Sequence, residues 1–237
     1  MKATALFKEL QQFCAANADD AIVKKYARYF KENYNAYGVA SPQLSAKIKE
    51  LSKRDGLNLE LVFELAPLLM KSGKYEETTI ALHLLDSLHK QFTKETFDVI
   101  ASWFPLGIHN WAHADTLGMM ILPRFVKKKL VTINDFKPWI KSKYKFQRRC
   151  VPVTIIKSLK ESTDYSGFFK LIEPLMSDSE REVHQGAGWF LREAWKIRRA
   201  ETEHFLLQYK DSAPRLIFQY ACEKMTAEDK LRFKRAK

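Results

Sequence analysis

The sequence contains few of the residues that interrupt helices. Glycine and proline each occur only eight times in 237 residues, and there is no glycine-rich or serine-rich linker. Apolar residues recur at spacings of three and four along nearly the whole chain, which is the period of a helix rather than of a strand. We therefore predict an all-helical fold.

Long apolar runs and paired cysteines are also missing. No stretch approaches the roughly 20 consecutive apolar residues of a membrane span, and the charged, amphipathic N-terminal segment differs from a signal peptide. The three cysteines (Cys14, Cys150 and Cys222) are far apart and odd in number, which argues against a disulfide framework or a CxxC metal motif. We expect a cytoplasmic protein that has neither a membrane partner nor a cofactor.

Positive charge is what the sequence has in excess. The chain carries 40 lysines and arginines against 28 acids, a net charge of +12, and such a field attracts polyanions. Between Arg124 and Arg149, ten basic residues stand against one acid, Asp135. Five aromatic residues interleave with these charges, which favours a folded basic surface over a solvated tail.

The N-terminal quarter predicts separate helices. Two helices are expected over about 3–17 and 20–35, followed by a turn at Gly38. Ser41 and Pro42 then predict the start of the next helix, with Ser41 as its capping residue and Pro42 at its first position.

From residue 56 onward the predicted helices form pairs. First members are expected to begin near Leu57, Lys94, Ile133, Tyr165 and Glu201. Second members are expected to begin near Tyr75, Asn110, Phe146, Glu182 and Ala213.

The resulting period of roughly 32 to 39 residues is typical of helical solenoids, although HEAT and armadillo repeats are commonly longer. We predict a single domain over 1–237, a superhelical solenoid of HEAT-like antiparallel helix pairs. It comprises N-terminal helices over 1–55 and about five pairs over 56–237. An irregular helical bundle is the alternative.

A solenoid aligns equivalent positions of successive repeats along one concave face. The residues at such positions in the second helices are Trp111, Asp115, Arg148, Arg149, Trp189 and Arg192. The sequence therefore predicts that an acid, basic groups and two indoles converge on one concave, basic surface.

Trp111 and Asp115 are four residues apart, so they project from the same face of a helix. An indole plane beside a carboxylate suits an electron-poor, positively charged group. Trp111 as a core residue, with Asp115 as an ordinary surface acid, is the other interpretation of this pair.

Two further patterns bear on binding. Arg148, Arg149 and Lys157 suit phosphate oxygens, because arginine forks match their geometry and hold a duplex without reading its sequence. Gly186 and Gly188 lie within a predicted helix, where glycine costs about 1 kcal/mol relative to alanine. Close helix packing and close approach of a ligand both explain these glycines.

Four segments together resemble the AlkD-like DNA alkylation repair family, in the same order and at similar separations. They are ARYFKENYNAYGV (27–39), HNWAHADTLG (109–118), QRRCVPVTIIK (147–157) and GAGWFLRE (186–193). The resemblance implies a HEAT-like solenoid that hydrolyses the glycosidic bond of cationic N3- and N7-alkylpurines in DNA.

By this resemblance, Asp115 matches the catalytic aspartate, while Trp111 and Trp189 match tryptophans that contact the sugar of the lesion nucleotide. The residues expected at the DNA are Arg149, Arg148, Tyr29, Lys157 and Arg192. The expected partner is double-stranded DNA containing alkylated bases, bound by a monomer in a bacterial-type cytoplasm.

The sequence also departs from the family pattern. Asn110 and Ala112 replace the second tryptophan and the nearby acid of a WWD-type motif, and His113 is unusual at its position. Some such relatives bind DNA without glycosylase activity. The alternative function is therefore a catalytically inactive protein that recognises distorted or branched DNA, and a scaffold for an acidic protein partner is a third possibility.

Other chemistries have weaker support. His109 and His113 have the spacing of a metal pair, but there is no HExxH motif and no evident third ligand. The sequence has neither the strand-turn-helix elbow of a serine hydrolase nor a glycine-rich phosphate loop. It also has no signature of a deep base pocket, which agrees with the family's action on the deoxyribose while the base stays stacked.

Overall fold

The computed structural model describes residues 2–31 and 33–235, and every regular element in these ranges is a helix. The predicted all-helical class is confirmed. The chain groups into two compact units, one ending at Thr116 and the other beginning at Leu117. The single domain over 1–237 stays a prediction.

The first unit is organised around one central helix. Its helices are α1 (Ala3–Ala16), α2 (Asp20–Ala27), α3 (Ser41–Leu51), α4 (Leu59–Lys71), α5 (Tyr75–Ser87), α6 (Lys94–Ala101) and α7 (Trp111–Thr116). Helix α5 packs against α1, α3, α4 and α7.

The second unit is organised around the long helix α12. Its α-helices are α8 (Leu122–Lys127), α9 (Lys137–Ile140), α10 (Lys145–Ile155), α11 (Ser166–Ile172), α12 (Arg181–Ile197), α13 (Arg199–Tyr209), α14 (Arg215–Ala221) and α15 (Ala227–Leu231). Helix α12 packs against α10 and α14, so the second members of three successive pairs form one layer. Within residues 2–31 and 33–235, no helix combines the length and apolar character needed to cross a bilayer.

Local signals set the helix starts close to their predicted positions. Helix α4 begins at Leu59, where the Asn58 side chain accepts the Leu61 N–H at 2.9 Å. Helix α6 begins at Lys94 after a Thr93 capping box, and such caps satisfy N–H groups that the helix itself leaves unpaired.

The segment after α2 differs from its prediction. The helix expected over 20–35 ends at Ala27, and residue 32 lies outside the described residues. The side chain of Glu76 accepts the N–H groups of Tyr37, Gly38 and Val39 at 2.9, 2.7 and 3.2 Å. The N–H groups of residues 37–39, just before α3, are therefore satisfied by a side chain that is distant in sequence.

The turn at Gly38 is present and requires glycine. Its φ is +83°, and an added Cβ would lie 2.1 Å from the carbonyl oxygen of Asp19. The predicted capping role of Ser41 is wrong, because Ala40 occupies the cap position of α3 and no side chain bonds there. Pro42 lies in the first turn, one position later than predicted.

A π-helical turn over Leu117–Ile121 precedes α8. Pro123 has no N–H and its ring clashes with the carbonyl four residues earlier in a regular helix, so a wider turn relieves this contact. The turn lies close against α10, because a Cβ on Gly118 would be 2.7 Å from Val153 Cγ1.

Helix packing explains Gly186 and Gly188. A Cβ on Gly186 would lie 3.1 Å from Arg149 Cγ, and one on Gly188 would lie 2.5 Å from Tyr220 Cβ and 2.7 Å from the carbonyl oxygen of Ile217. The two glycines therefore let α12 approach α10 on one side and α14 on the other.

Replacing Gly188 with alanine is expected to lower the free energy of unfolding by about 1–3 kcal/mol, because the new methyl group meets backbone and a Cβ that cannot move easily. The control is Gly167→Ala in α11, where the added Cβ lies 3.3 Å from the flexible end of Ile133. That variant is expected to be as stable as the wild type or more so. Urea unfolding of both variants tests this difference, and equal stability would contradict it.

Candidate active site

Trp111, the first residue of α7, is held in a defined and partly exposed position. Its side chain is 36% exposed, its indole Nε1 donates to the carbonyl oxygen of Tyr29 at 3.2 Å, and its ring stacks on Phe30 at 5.6 Å. Tyr29 is itself 54% exposed. The interpretation of Trp111 as a core residue is wrong.

Asn110 and His113 fix the first turn of α7. The Asn110 side-chain oxygen accepts the His113 N–H at 2.9 Å, and the Asn110 amide nitrogen donates to His113 Nδ1 at 2.9 Å. His113 Nε2 lies 3.1 Å from both the Tyr75 carbonyl oxygen and Thr79 Oγ1. These two residues, which depart from the family pattern, thus form a reciprocal cap that positions Trp111.

The hydrogen bonds assign the neutral Nε2–H tautomer to His113. Nδ1 accepts from Asn110, so a proton there would face another donor. Burial lowers the pKa of His113 to about 3. Both ring nitrogens are engaged within the protein, which argues against the alternative of a metal pair with His109.

His113 should make stability depend on pH below neutrality. Its folded pKa, about 3, lies below the ordinary value of 6.5, so the unfolded chain takes up a proton that the folded chain does not. The contribution of the neutral, buried imidazole to the free energy of unfolding is complete above pH 6.5. It decreases as the pH falls toward 3, by at most about 1.4 kcal/mol per pH unit.

Urea unfolding between pH 6.5 and 5 measures this slope. His113→Gln should be less stable at neutral pH and show a smaller loss on acidification. His204→Gln, which changes an exposed side chain, should keep the wild-type slope. A wild-type slope in His113→Gln would assign the pH dependence to other groups.

Asp115 lies one helical turn after Trp111 on α7 and is half-buried. Because residues four apart share a helix face, the carboxylate and the indole project on the same side. The first unit therefore places three of the predicted residues, Tyr29, Trp111 and Asp115, at or beside one helix.

The arginines of α10 are engaged within the second unit. Arg148 forms a two-pronged ion pair with Asp178 at 2.6 and 3.0 Å and donates to the Ser142 carbonyl oxygen at 2.7 Å. Arg149 is 6% exposed and donates to the Glu182 carbonyl oxygen at 2.7 Å. Their contact with DNA stays a prediction.

Trp189 and Arg192 lie on α12 and are half-buried. Arg192 forms ion pairs with Glu193 and Glu223. The expected roles of both residues at the DNA, and the approach of Trp189 to Trp111 and Asp115, stay predictions.

Lys157 is exposed and belongs to a basic cluster. Together with Arg124 and Lys127 it lines a cavity of about 230 Å³, with Glu161 as the acid of the lining. Clustered cations of this kind suit phosphate oxygens.

The structure contains a pocket that sequence reasoning missed. A cavity of about 410 Å³ in the first unit, which we call the aromatic pocket, lies against Trp111. Its aromatic lining residues are Tyr26, Tyr29, Phe30, Tyr34, Tyr75 and Trp111. No motif in the sequence indicates this pocket.

The cysteines lie outside these sites. Cys14, Cys150 and Cys222 are all buried. Burial raises the pKa of the Cys14 thiol to about 12 and that of Cys222 to about 11, so both remain protonated at neutral pH and are poor nucleophiles.

A solved structure has the same fold. It is described as a predicted DNA alkylation repair enzyme from Enterococcus faecalis, and it matches with a TM-score of 0.75 at 16% identity, over 89% of this chain and 98% of that one. No curated protein matches the sequence. The profile of the family described as DNA alkylation repair enzyme matches residues 10–225. The chain belongs to this family, and its role is in the repair of alkylated DNA.

Proposed function

We propose that this protein is a DNA glycosylase that hydrolyses the N-glycosidic bond of cationic N3- and N7-alkylpurines in duplex DNA, the first step of base excision repair. The observation that carries the proposal is the fixed, exposed indole of Trp111 one turn before Asp115. Family membership supports a substrate of alkylated DNA.

The chemistry needs little more than a positioned anion and an aromatic face. Alkylation at N3 or N7 makes the purine a cationic leaving group, so cleavage of the C–N bond leaves positive charge on the deoxyribose. A fixed carboxylate stabilises this oxocarbenium-like charge or positions the attacking water, and an indole face adds cation–π attraction. The leaving group is already activated, so a second carboxylic acid is not required.

In this proposal Asp115 provides the anion, and Trp111 and Trp189 contact the deoxyribose. Tyr29, whose carbonyl oxygen accepts a hydrogen bond from Trp111, lies beside the lesion. The cations proposed to hold the duplex are Arg148, Arg149, Lys157 and Arg192.

The test is release of free base from methylated duplex DNA. Purified protein should release 7-methylguanine or 3-methyladenine in an amount that grows with time and enzyme, as measured by mass spectrometry. Absence of release under conditions where the protein binds the duplex would refute the proposal and favour an inactive DNA-binding protein. That alternative draws support from Asn110 and Ala112, where the family pattern is not kept.

Duplex binding should weaken steeply with salt under either function. Four phosphate contacts, one for each proposed cation, predict about 150-fold weaker binding at 200 mM than at 50 mM salt. Lys157→Gln should reduce the slope of log K against log salt by about one. Lys224→Gln is the control, because that ammonium already pairs with Glu223 at 3.3 Å. A flat salt response would instead favour a protein partner.

A further inference from the structure

The first unit contains another cavity, of about 370 Å³, which we call the polar cavity. Much of its lining comes from three connections between helices, which contain residues 33–35, 73–75 and 107–110. Phe30, Tyr34 and Tyr75 line both the polar cavity and the aromatic pocket. The polar cavity is therefore next to the aromatic side chains that pack around Trp111.

Hydrogen bonds and close packing hold the three connections in place. The Tyr75 N–H donates to the Asn35 carbonyl oxygen at 2.8 Å, and His113 Nε2 donates to the Tyr75 carbonyl oxygen at 3.1 Å. Gly107 packs closely on α4, since an added Cβ would lie 2.6 Å from Met70 Cβ. The polar cavity therefore keeps its shape without a ligand, which lowers the entropy cost of binding.

The lining of the polar cavity is rich in hydrogen-bond donors. Among residues 2–31 and 33–235 it has no carboxylate, and its polar side chains are Asn33, Asn35, Lys74, Thr78, His109, Asn110 and His113. Asn110 and His113 bond to each other. The other donors that are exposed or half-buried are Asn33, Asn35, Lys74 and His109.

These donors give the polar cavity a preference for an anion. The Lys74 Nζ lies 4.7 Å from the centre of the Tyr37 ring, and no carboxylate of the described residues forms an ion pair with it. The imidazole of His109 has an N–H to donate in its neutral and in its charged form. An ammonium, amide groups and an imidazole, with no acid in the same lining, suit the oxygens of a phosphate.

We propose that the polar cavity binds a phosphate of the damaged strand, next to the deoxyribose that Trp111 contacts. The proposed site rests on the glycosylase function and adds a phosphate contact in the first unit, whereas the four cations proposed above belong to the second. Every deoxyribose inside a strand carries a phosphate on each side. Asn110 of the cavity lining directly precedes Trp111, so a sugar on this indole brings one phosphate toward the polar cavity.

A phosphate held in the polar cavity positions the sugar for the reaction. Contacts to the backbone fix the register of a duplex without reading its sequence. The cavity lining is bonded to the cap of α7 through His113 and Tyr75, so the same hydrogen bonds position the phosphate site and Trp111. The damaged base stays in its stack throughout.

Neutral phosphate analogues test this site without catalysis. The probe is a duplex with a tetrahydrofuran analogue of an abasic site and one methylphosphonate, which removes a single backbone charge, placed at each flanking position in turn. Fluorescence anisotropy at constant salt measures affinity. At one position beside the analogue, on the damaged strand, wild type should bind about tenfold more weakly, as expected for one charged hydrogen bond. Equal affinity for all these duplexes would overturn the proposal.

Lys74→Gln assigns the sensitive phosphate to the polar cavity. This variant should bind the unmodified duplex about tenfold more weakly than wild type, and the methylphosphonate at the sensitive position should then cause no further loss. Lys71→Gln is the matched control, because Lys71 is exposed at the end of α4 and outside the cavity lining. It should keep the wild-type response to every methylphosphonate. Independent, multiplicative losses in Lys74→Gln would overturn the proposal. If Lys74→Gln does not fold, His109→Ala decides by the same comparison.

A free phosphate offers the same chemistry to the polar cavity. NMR signals of the Asn33 and Asn35 side-chain amides distinguish the two sources. They should shift when the unmodified duplex is added, and much less when the sensitive phosphate is neutral. If inorganic phosphate saturates these shifts while every methylphosphonate duplex binds like the unmodified one, the cavity takes a free phosphate and the assignment to the strand is overturned.

The phosphate site and the glycosylase function fail in different ways. The abasic analogue has no base to release, so its binding can be measured for an inactive protein as well. If 7-methylguanine is released but no methylphosphonate weakens binding, the glycosylase function stands and the phosphate site falls. If no base is released but the two losses in Lys74→Gln do not add, the phosphate site stands and the catalytic proposal falls.

Discussion

Replacing Asp115 with asparagine is expected to slow release of 7-methylguanine from alkylated duplex DNA at least about 100-fold. The side chain keeps its size, so the loss reflects the missing negative charge beside the developing charge on the sugar. Affinity for undamaged duplex should stay within about twofold, because phosphate contacts dominate that affinity. Single-turnover release and fluorescence anisotropy measure the two quantities.

The matched control is Asp98→Asn on α6. Asp98 is exposed and pairs with Lys94 at 2.7 Å, so its loss removes one surface ion pair worth about 0.2–1 kcal/mol. Base release by this variant should match the wild type. Full activity in Asp115→Asn would remove Asp115 from the mechanism, and a parallel loss of duplex binding would assign it a structural role.

Replacing Glu76 with alanine is expected to lower the free energy of unfolding by about 3 kcal/mol or more. The carboxylate accepts the N–H groups of Tyr37, Gly38 and Val39. Removing it leaves three donors in a largely buried segment without their acceptor. Urea unfolding at constant pH measures the loss.

Glu60→Ala provides the comparison. Glu60 is an exposed acid in the first turn of α4, so only its interaction with the helix dipole is lost, about 0.3–1 kcal/mol. The loss of stability in Glu76→Gln should lie between those of Glu76→Ala and Glu60→Ala. The amide keeps one oxygen acceptor, but its NH₂ group faces backbone N–H donors. A loss below about 1 kcal/mol in Glu76→Ala would mean that water replaces the carboxylate.

Local sequence signals predicted the positions of the helices well. They did not predict backbone conformation where a residue distant in sequence determines it. The starts of α4 and α6 follow from Asn58 and Thr93, which lie next to the helices they cap. The backbone of residues 37–39 is held instead by Glu76, which is nearly forty residues away. No pattern around residues 28–40 indicates that partner.

Only the part of the candidate site that depends on local spacing was predicted from the sequence. Trp111 and Asp115 share a helix face, which their spacing alone predicts. The aromatic pocket takes its lining from residues between 22 and 112, which have no common motif. Asn110 and His113 looked like defects in a motif, and the structure explains them as a cap.

The number of basic residues in the sequence overstates how many cations are available to bind phosphate. The excess around residues 124–149 was predicted correctly as part of a folded surface, yet Arg148 pairs with Asp178, which comes thirty residues later. Arg192 likewise pairs with Glu223. Acids distant in sequence reduce the number of arginines whose donors are available to a phosphate.

The neutral cap at the start of α7 also has a consequence for enzyme kinetics. His113 keeps one protonation state at every pH where a repair reaction is assayed, since its pKa is about 3. An inflection near neutrality in a plot of log kcat against pH would therefore come from a group other than this imidazole. The imidazole nearest the reacting groups in sequence can be left out when such a curve is assigned.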